Sequence, residues 1–349
     1  MADRIVSLAR QFWSLSKPRI VALLTLTGLS GLLAAGGASG ATTLGFTVAG
    51  ACVAAGSAAF NCYYDRRLDA RMERTADRPL PDGQLDHRTA AAFVTALLGT
   101  GTVVGLVSLP VDAVAYMWLG VVSYAGVYTV GLKRRHWLGV VLGGSAGAFP
   151  VLAGWSVVAP MRTVPLLFAG LVFVWTPAHA WALGYVYRDD FVAAGVPTLP
   201  AVASAVTVRR AVWLSAVLTA GVAVVTVPVA GAAYAVACLV GVPAFLWAYW
   251  GFYRDGSEPH AVRAFFTSNL LVATLFAAWA VDGVLGPLHG TALLVEAVAV
   301  LAAFLGLWLG RPSLGGVESR RVAVRRPLAA GVASLRGAGR NVWGAIRYE

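Results

Sequence analysis

Ten stretches of this chain run for about 20 residues almost without charge: 20–36, 42–61, 89–109, 112–132, 138–159, 163–184, 210–230, 232–252, 264–285 and 291–310. A helix rises about 1.5 Å per residue, so each stretch matches the hydrocarbon core of a bilayer, about 30 Å thick. Lipid offers backbone N–H and C=O groups no partner, and helices, which satisfy them internally, are the form such runs take. Of the 349 residues, 12% are charged and 58% hydrophobic, against about 25% charged in a soluble domain. A soluble multi-domain protein is excluded, and the spacing predicts an all-α polytopic membrane protein.

The connections alternate between very short ones, as at Pro110 to Val111 or Ala230 to Gly231, and long polar ones at 62–88, 185–209 and 253–263. With Met1 in the cytoplasm, this parity places every long loop inside, together with all of the 27 basic residues except Arg162, as the positive-inside rule requires. The net charge of +11 is then topological. Its basic residues sit in short blocks between apolar runs, and no nucleic-acid partner is expected.

The chain divides into a cytoplasmic N-terminal segment (1–19), a nine-helix domain (20–285), an extra transmembrane helix (286–310) and a basic cytoplasmic tail (311–349). No small-residue cleavage site follows a short apolar core at the N-terminus, so the first helix is read as uncleaved. Leu335, Val342, Trp343 and Ile346 of the tail suit either a helix resting on anionic lipid or a solvated basic segment. Cys52, Cys62 and Cys238 are far apart and read as core fillers, with no metal or disulfide spacing.

Carboxylates are scarce, so their grouping is informative. Six of the 16 acidic residues, Asp65, Asp69, Glu73, Asp77, Asp82 and Asp86, follow the second apolar run. Asn61, Asp65, Asp69 and Glu73 are four apart, which puts one amide and two or three carboxylates on one face if the second helix runs on past the membrane surface. Oxygen ligands so placed suit Mg²⁺, which commonly bridges one or two carboxylates to substrate phosphate. Arg66, Arg67, Arg71 and Arg74, interleaved on the other faces, and Arg78 beyond them, suit the remaining phosphate oxygens. A solvated helix with i to i+4 ion pairs explains the same pattern, and both readings stand at this point.

The stretch 173–200 carries a second acidic pair, Asp189 and Asp190, next to Arg188 and one helical turn after Tyr185. Adjacent helical residues point about 100° apart, so one of the two faces the cavity more squarely; Asp189, on the face of Tyr185, is the expected one. His179, beside Trp175, Pro177 and Trp181, suits either a haem ligand or a hydrogen bond between helices. Lys133, Arg134 and Arg135 suit an anion site or topology alone.

The run NCYYDRRLDARMERTADRPLP at 61–81 resembles the N-x-x-x-D-x-x-x-D motif of the UbiA-type intramembrane prenyltransferases. Its continuation M-x-R-T-x-x-R-P-L-P is similar to the branch of that family that farnesylates haem. Further similarity lies in LSKPRIVALLTLTGL (15–29), YTVGLKRRHWLGVVLGGSAGAFPVLAGW (128–155), WTPAHAWAL (175–183), YRDDFVAAGVPTLP (187–200) and the pattern of 261–282, so it covers roughly 15–285.

The resemblance implies a UbiA-type bundle of nine transmembrane helices; the segment 291–310 lies beyond that domain and is read as a tenth from its length and from the distribution of Lys and Arg. It implies Mg²⁺ as cofactor, and farnesyl diphosphate and haem B as substrates joined within the lipid bilayer to give haem O, with haem A synthase as the consumer. By position, Asn61, Asp65 and Asp69 match the first motif and would hold diphosphate through Mg²⁺, while Asp189 and Asp190 match the second acidic region. Beside these matches, Arg66, Arg74, Arg78, Lys133, Arg134, Tyr185, Arg188 and His179 are the substrate-binding candidates read from the residues themselves. The chain departs from the pattern twice: the second region is an adjacent pair rather than D-x-x-x-D, and His136, Trp137, Leu138 and Gly139 stand where the family often has T-x-x-N. The first motif alone would equally serve prenylation of a quinone precursor or lipid headgroup. A transporter, with its acids as ion sites, is disfavoured because the acids gather at one membrane face.

Overall fold

A computed structural model describes residues 2–286, with side chains from Val6 onward; the tenth span and the basic tail lie outside the described residues. In chain order the helices are α1 (Ala2–Ser16), α2 (Pro18–Ala34), α3 (Gly40–Asp69), α4 (His87–Ser108), α5 (Val111–Val121), which continues as a π-helix (Val122–Leu132), α6 (Gly139–Gly143), α7 (Ser145–Ser156) and α8 (Thr163–Val186). There follow α9 (Arg188–Ala193), α10 (Leu199–Val202), α11 (Ala205–Ala230), α12 (Ala232–Asp255) and α13 (Glu258–Leu285), with no strand among the described residues.

Among the described residues eight helices are long and apolar enough to cross a membrane, or nine if the bent pair α1–α2 counts as one span. Each run predicted up to residue 285 coincides with one of these helices or helix pairs. Large apolar side chains point outward, with Val107 82%, Leu239 75% and Val225 65% exposed. Water would penalise that surface and lipid does not, so the chain is a multi-pass membrane protein.

Three local features arrange the bundle around its functional end. Pro18 bars the residue before it from the right-handed helical region, and Lys17 takes a left-handed conformation instead, with φ 48°; α1 and α2 therefore meet at a 52° bend. The α3 helix outruns its apolar stretch, as the four-residue spacing predicts, but it closes at Asp69. There the Thr75 hydroxyl donates to the Asp69 carbonyl at 2.8 Å, and the chain turns away. Finally, α2 crosses α7 at backbone contact, with Gly28 and Gly31 against Gly154 and Val151, the small-residue packing that helices use where lipid supplies no hydrophobic drive.

The larger part of the interior lies among α7, α8, α11, α12 and α13, where Phe168 stacks on Trp279 with ring centroids 3.5 Å apart. A second apolar cluster joins α2, α3, α5 and α7, and a third ties α1 to α3 and α4 through Leu15, Ala59 and Val94. A small cluster of Leu68, Met72, Ala194 and Val196, with Phe191 against it, docks α9 on the end of α3.

Candidate active site

The last turns of α3 carry Asn61, Asp65 and Asp69 along one face, at 4%, 0% and 2% exposure. Opposite them is the π-helix, in which the Lys133 amide bonds the Tyr128 carbonyl five residues back at 2.8 Å and the Thr129 hydroxyl bonds the Tyr124 carbonyl at 2.8 Å. Such widened turns are uncommon and occur frequently at functional sites. Here the turn presents Thr129 to Asn61, Lys133 to Asp65 and the Tyr124 hydroxyl to Lys17.

Asp65 is held from two sides. Its Oδ2 accepts from Lys133 Nζ and from Asn61 Nδ2, the latter at 2.8 Å. Its Oδ1 accepts from Arg134 Nη2 at 2.9 Å, and Arg134 also bonds the Tyr64 carbonyl at 3.2 Å while lying over that ring. Asp69 pairs with Arg78 at 2.7 Å. The Asn61 amide is fixed at both ends: its Oδ1 accepts from Lys17 Nζ at 2.7 Å and its Nδ2 also reaches Thr129 Oγ1 at 3.2 Å. Lys17 lies 3.4 Å from the Tyr124 hydroxyl as well.

The loop beyond α3 is closed by Asp190, whose carboxylate accepts from the amides of Glu73 and Arg74 at 3.2 and 3.4 Å and lies 3.9 Å from the Arg74 guanidinium. Arg74 packs over the rings of Tyr187 and Phe191. Burial, with repulsion from Arg78, lowers its pKa, and the charges of Asp69, Tyr187 and Asp190 oppose that shift; a guanidinium remains charged regardless.

Lys17, Arg74, Arg78, Lys133 and Arg134 thus gather about Asp65, Asp69 and Asp190, an excess of positive charge that draws anions. Among the described residues no group of three or more His, Cys, Asp or Glu forms a cage for a metal. Two buried aspartates beside a cationic surface instead fit Mg²⁺, which keeps several waters and completes its shell with substrate phosphate.

Several sequence-derived positions are revised. Glu73 leaves the acidic face because α3 ends first, and only its amide takes part. The adjacent acids are the reverse of expectation: Asp189 is exposed, whereas Asp190 faces the first motif, because α9 is rotated by the anchorage of Phe191 and Ala194 on Leu68 and Met72. Tyr185 packs edge-on against Phe252 on the core side of α8. Arg66 folds back onto the Tyr63 carbonyl at 2.8 Å and over its ring, away from the acids. Arg188, at the start of α9, is partly exposed. His179 is sandwiched between Trp175 and Phe265, with Nδ1 2.8 Å from Ser268 Oγ, which matches the helix-to-helix hydrogen bond of its two readings.

Of the two readings of Lys133 and Arg134, the structure places both on Asp65. Lys17 and Tyr124 escaped sequence reasoning. Lys17 passes for one more topological charge, although a lysine directly before a proline that opens a span was a signal, and nothing in the sequence marks a π-helix.

Asp190→Ala is expected to lower turnover at least tenfold by releasing the 73–74 turn, and Asp189→Ala to leave it within about twofold. Parallel steady-state assays check this, and equal effects would show that the contact seen here does not matter.

The UbiA prenyltransferase family pattern matches residues 21–271. The protoheme IX farnesyltransferase of Rhizorhabdus wittichii is 40% identical over 263 residues, 73% of this chain and 86% of that protein. The protein of the same name from Erythrobacter litoralis is 36% identical over 298 residues, 80% and 94% of the two chains. Among solved structures, a digeranylgeranylglyceryl phosphate synthase superposes with a TM-score of 0.64 at 15% identity, over 79% of this chain and 98% of that one. A UbiA homologue from Archaeoglobus fulgidus bound to DMAPP and Mg²⁺ gives 0.60 at 16% identity, over 79% and 99%. At these identities the structural likeness concerns the fold.

Proposed function

The chain belongs to the UbiA prenyltransferase family, and on that premise we propose that it transfers a farnesyl group from farnesyl diphosphate to a vinyl group of haem B, giving haem O. The observation that carries this reading is the pair of buried aspartates, Asp65 and Asp69, surrounded by a surplus of Lys and Arg at the end of an apolar bundle. Such a site takes a diphosphate with its metal while leaving the prenyl chain among the helices. Relatives at 36–40% identity that bear the name protoheme IX farnesyltransferase support haem as the acceptor.

Asp65 and Asp69 would hold Mg²⁺, which would supply charge neutralisation to the leaving diphosphate. Lys133, Arg134, Arg78 and Arg74 bind the phosphate oxygens, fix the C1–O bond in place and stabilise the negative charge as that bond breaks with its electron pair on oxygen. Lys17 holds the Asn61 amide so that its Nδ2 steadies Asp65. The terminal vinyl carbon of haem bonds to farnesyl C1, and the cationic carbon next to the porphyrin then bonds the oxygen of a water, which gives up a proton to leave a hydroxyl. The distribution of Lys and Arg supports a cell-membrane setting with the N-terminus and these loops in the cytoplasm.

Purified protein incubated with haem B, farnesyl diphosphate and Mg²⁺ is expected to yield a haem heavier by one farnesyl group and one hydroxyl group in mass spectrometry, with EDTA stopping the reaction and Mg²⁺ restoring it. Unchanged haem together with prenylation of a quinone precursor or lipid headgroup in the same assay would overturn the assignment.

A further inference from the structure

In the chain alone, the carboxylates that would hold a metal already hold cations. Asp65 offers Oδ2 to Lys133 and Asn61 and Oδ1 to Arg134, and Asp69 offers Oδ2 to Arg78. A divalent ion arriving by itself must compete with them. The Lys133 side chain is only 10% exposed and that of Asp65 is 0%, so an ammonium pushed off its carboxylate meets little water, and leaving it unpaired is costly. Diphosphate changes this balance, because it brings oxygens that can take the same cations.

We propose that Lys133, Arg134 and Arg78 are exchangeable counter-ions that make metal binding conditional on diphosphate. As diphosphate enters, they pass from Asp65 and Asp69 to phosphate oxygens, and the vacated carboxylate oxygens take the metal. The side chains suit the exchange. Lys133 swings a point charge on a flexible stem. Arg134 is 41% exposed and keeps the Tyr64 carbonyl and ring as a pivot, and Arg78 is 30% exposed. Two ligands that each need the other to release the same internal ion pairs bind cooperatively, and linkage makes the effect equal in both directions. Between turnovers the two carboxylates are therefore already paired and do not collect stray divalent ions. This rests on the metal site of the proposed function and adds the order in which it fills.

The test uses Mn²⁺ followed by electron paramagnetic resonance, and inorganic pyrophosphate followed by calorimetry, on the full chain in nanodiscs. Because pyrophosphate itself chelates Mn²⁺, the deciding measurement is Mn²⁺ alone. Lys133→Met is expected to bind Mn²⁺ alone about tenfold more tightly than the native chain and pyrophosphate more weakly, an opposed pair of shifts that general damage to the fold would not produce. Arg134→Gln, whose side chain is more exposed, is expected to move both in the same senses and serves if Lys133→Met is not recovered folded. Equal or weaker Mn²⁺ binding in both variants would overturn the exchange. Asp65→Asn separates the two ideas: if it leaves Mn²⁺ binding unchanged, the metal site itself is wrong, whereas if it abolishes binding while the lysine and arginine variants bind like the native chain, only the exchange fails.

Discussion

Asp65→Asn is expected to lower farnesyl transfer by about a thousandfold or more and also to destabilise the protein measurably. The first effect follows from removing half of the carboxylate charge at a site whose chemistry is the departure of an anion. The second follows from burial. Asp65 is 0% exposed and holds Lys133 and Arg134. Asparagine keeps the shape and one acceptor while leaving a nearly buried ammonium without its counter-charge, a loss of about 1–3 kcal/mol. Asp69→Asn should impair turnover similarly yet cost less stability, because its partner Arg78 is 30% exposed. Turnover and thermal midpoint measured on the same preparations check both. A mutant at Asp65 that turns over normally, or one that is inactive but as stable as the native chain, would contradict the geometry described here.

Gly154→Ala is expected to cost about 3 kcal/mol or more, far from any chemistry. A methyl group on Gly154 would sit inside the van der Waals envelope of the Gly28 carbonyl, with the Leu32 amide nitrogen 3.0 Å away. All its neighbours are backbone, so no rotamer change relieves the clash and α2 must move off α7. Because α2 begins one residue after Lys17, the shift should also loosen the Lys17–Asn61 contact and reduce activity in whatever protein remains folded. Gly170→Ala on α8 is the control, since a methyl there meets nothing within 4 Å and alanine is the better helix former. Its thermal midpoint should equal or exceed that of the native chain. Size-exclusion profiles after graded heating would read both variants, and similar melting of the two would refute the close crossing.

The elements readable from residue order are those governed by local rules. A run of 20 apolar residues becomes a helix because lipid leaves its backbone no other partner. A four-residue spacing places Asn61, Asp65 and Asp69 on one face wherever the helix lies. Glu73 belonged to that pattern only while α3 continued, and its end at Asp69 depends on the folding of the following loop. The partners of the acids obey no local rule. Lys17 meets Asn61 across 44 residues and Lys133 meets Asp65 across 68, joined only because α2, α3 and the π-helix converge. The choice of Asp190 over Asp189 likewise follows from how four apolar side chains dock α9 on α3, a rotation that two identical neighbouring acids cannot encode. Hydrogen-bond satisfaction and helical period act within a few residues, whereas ion pairing and close packing act between surfaces, so which charges meet is decided only when the helices are assembled.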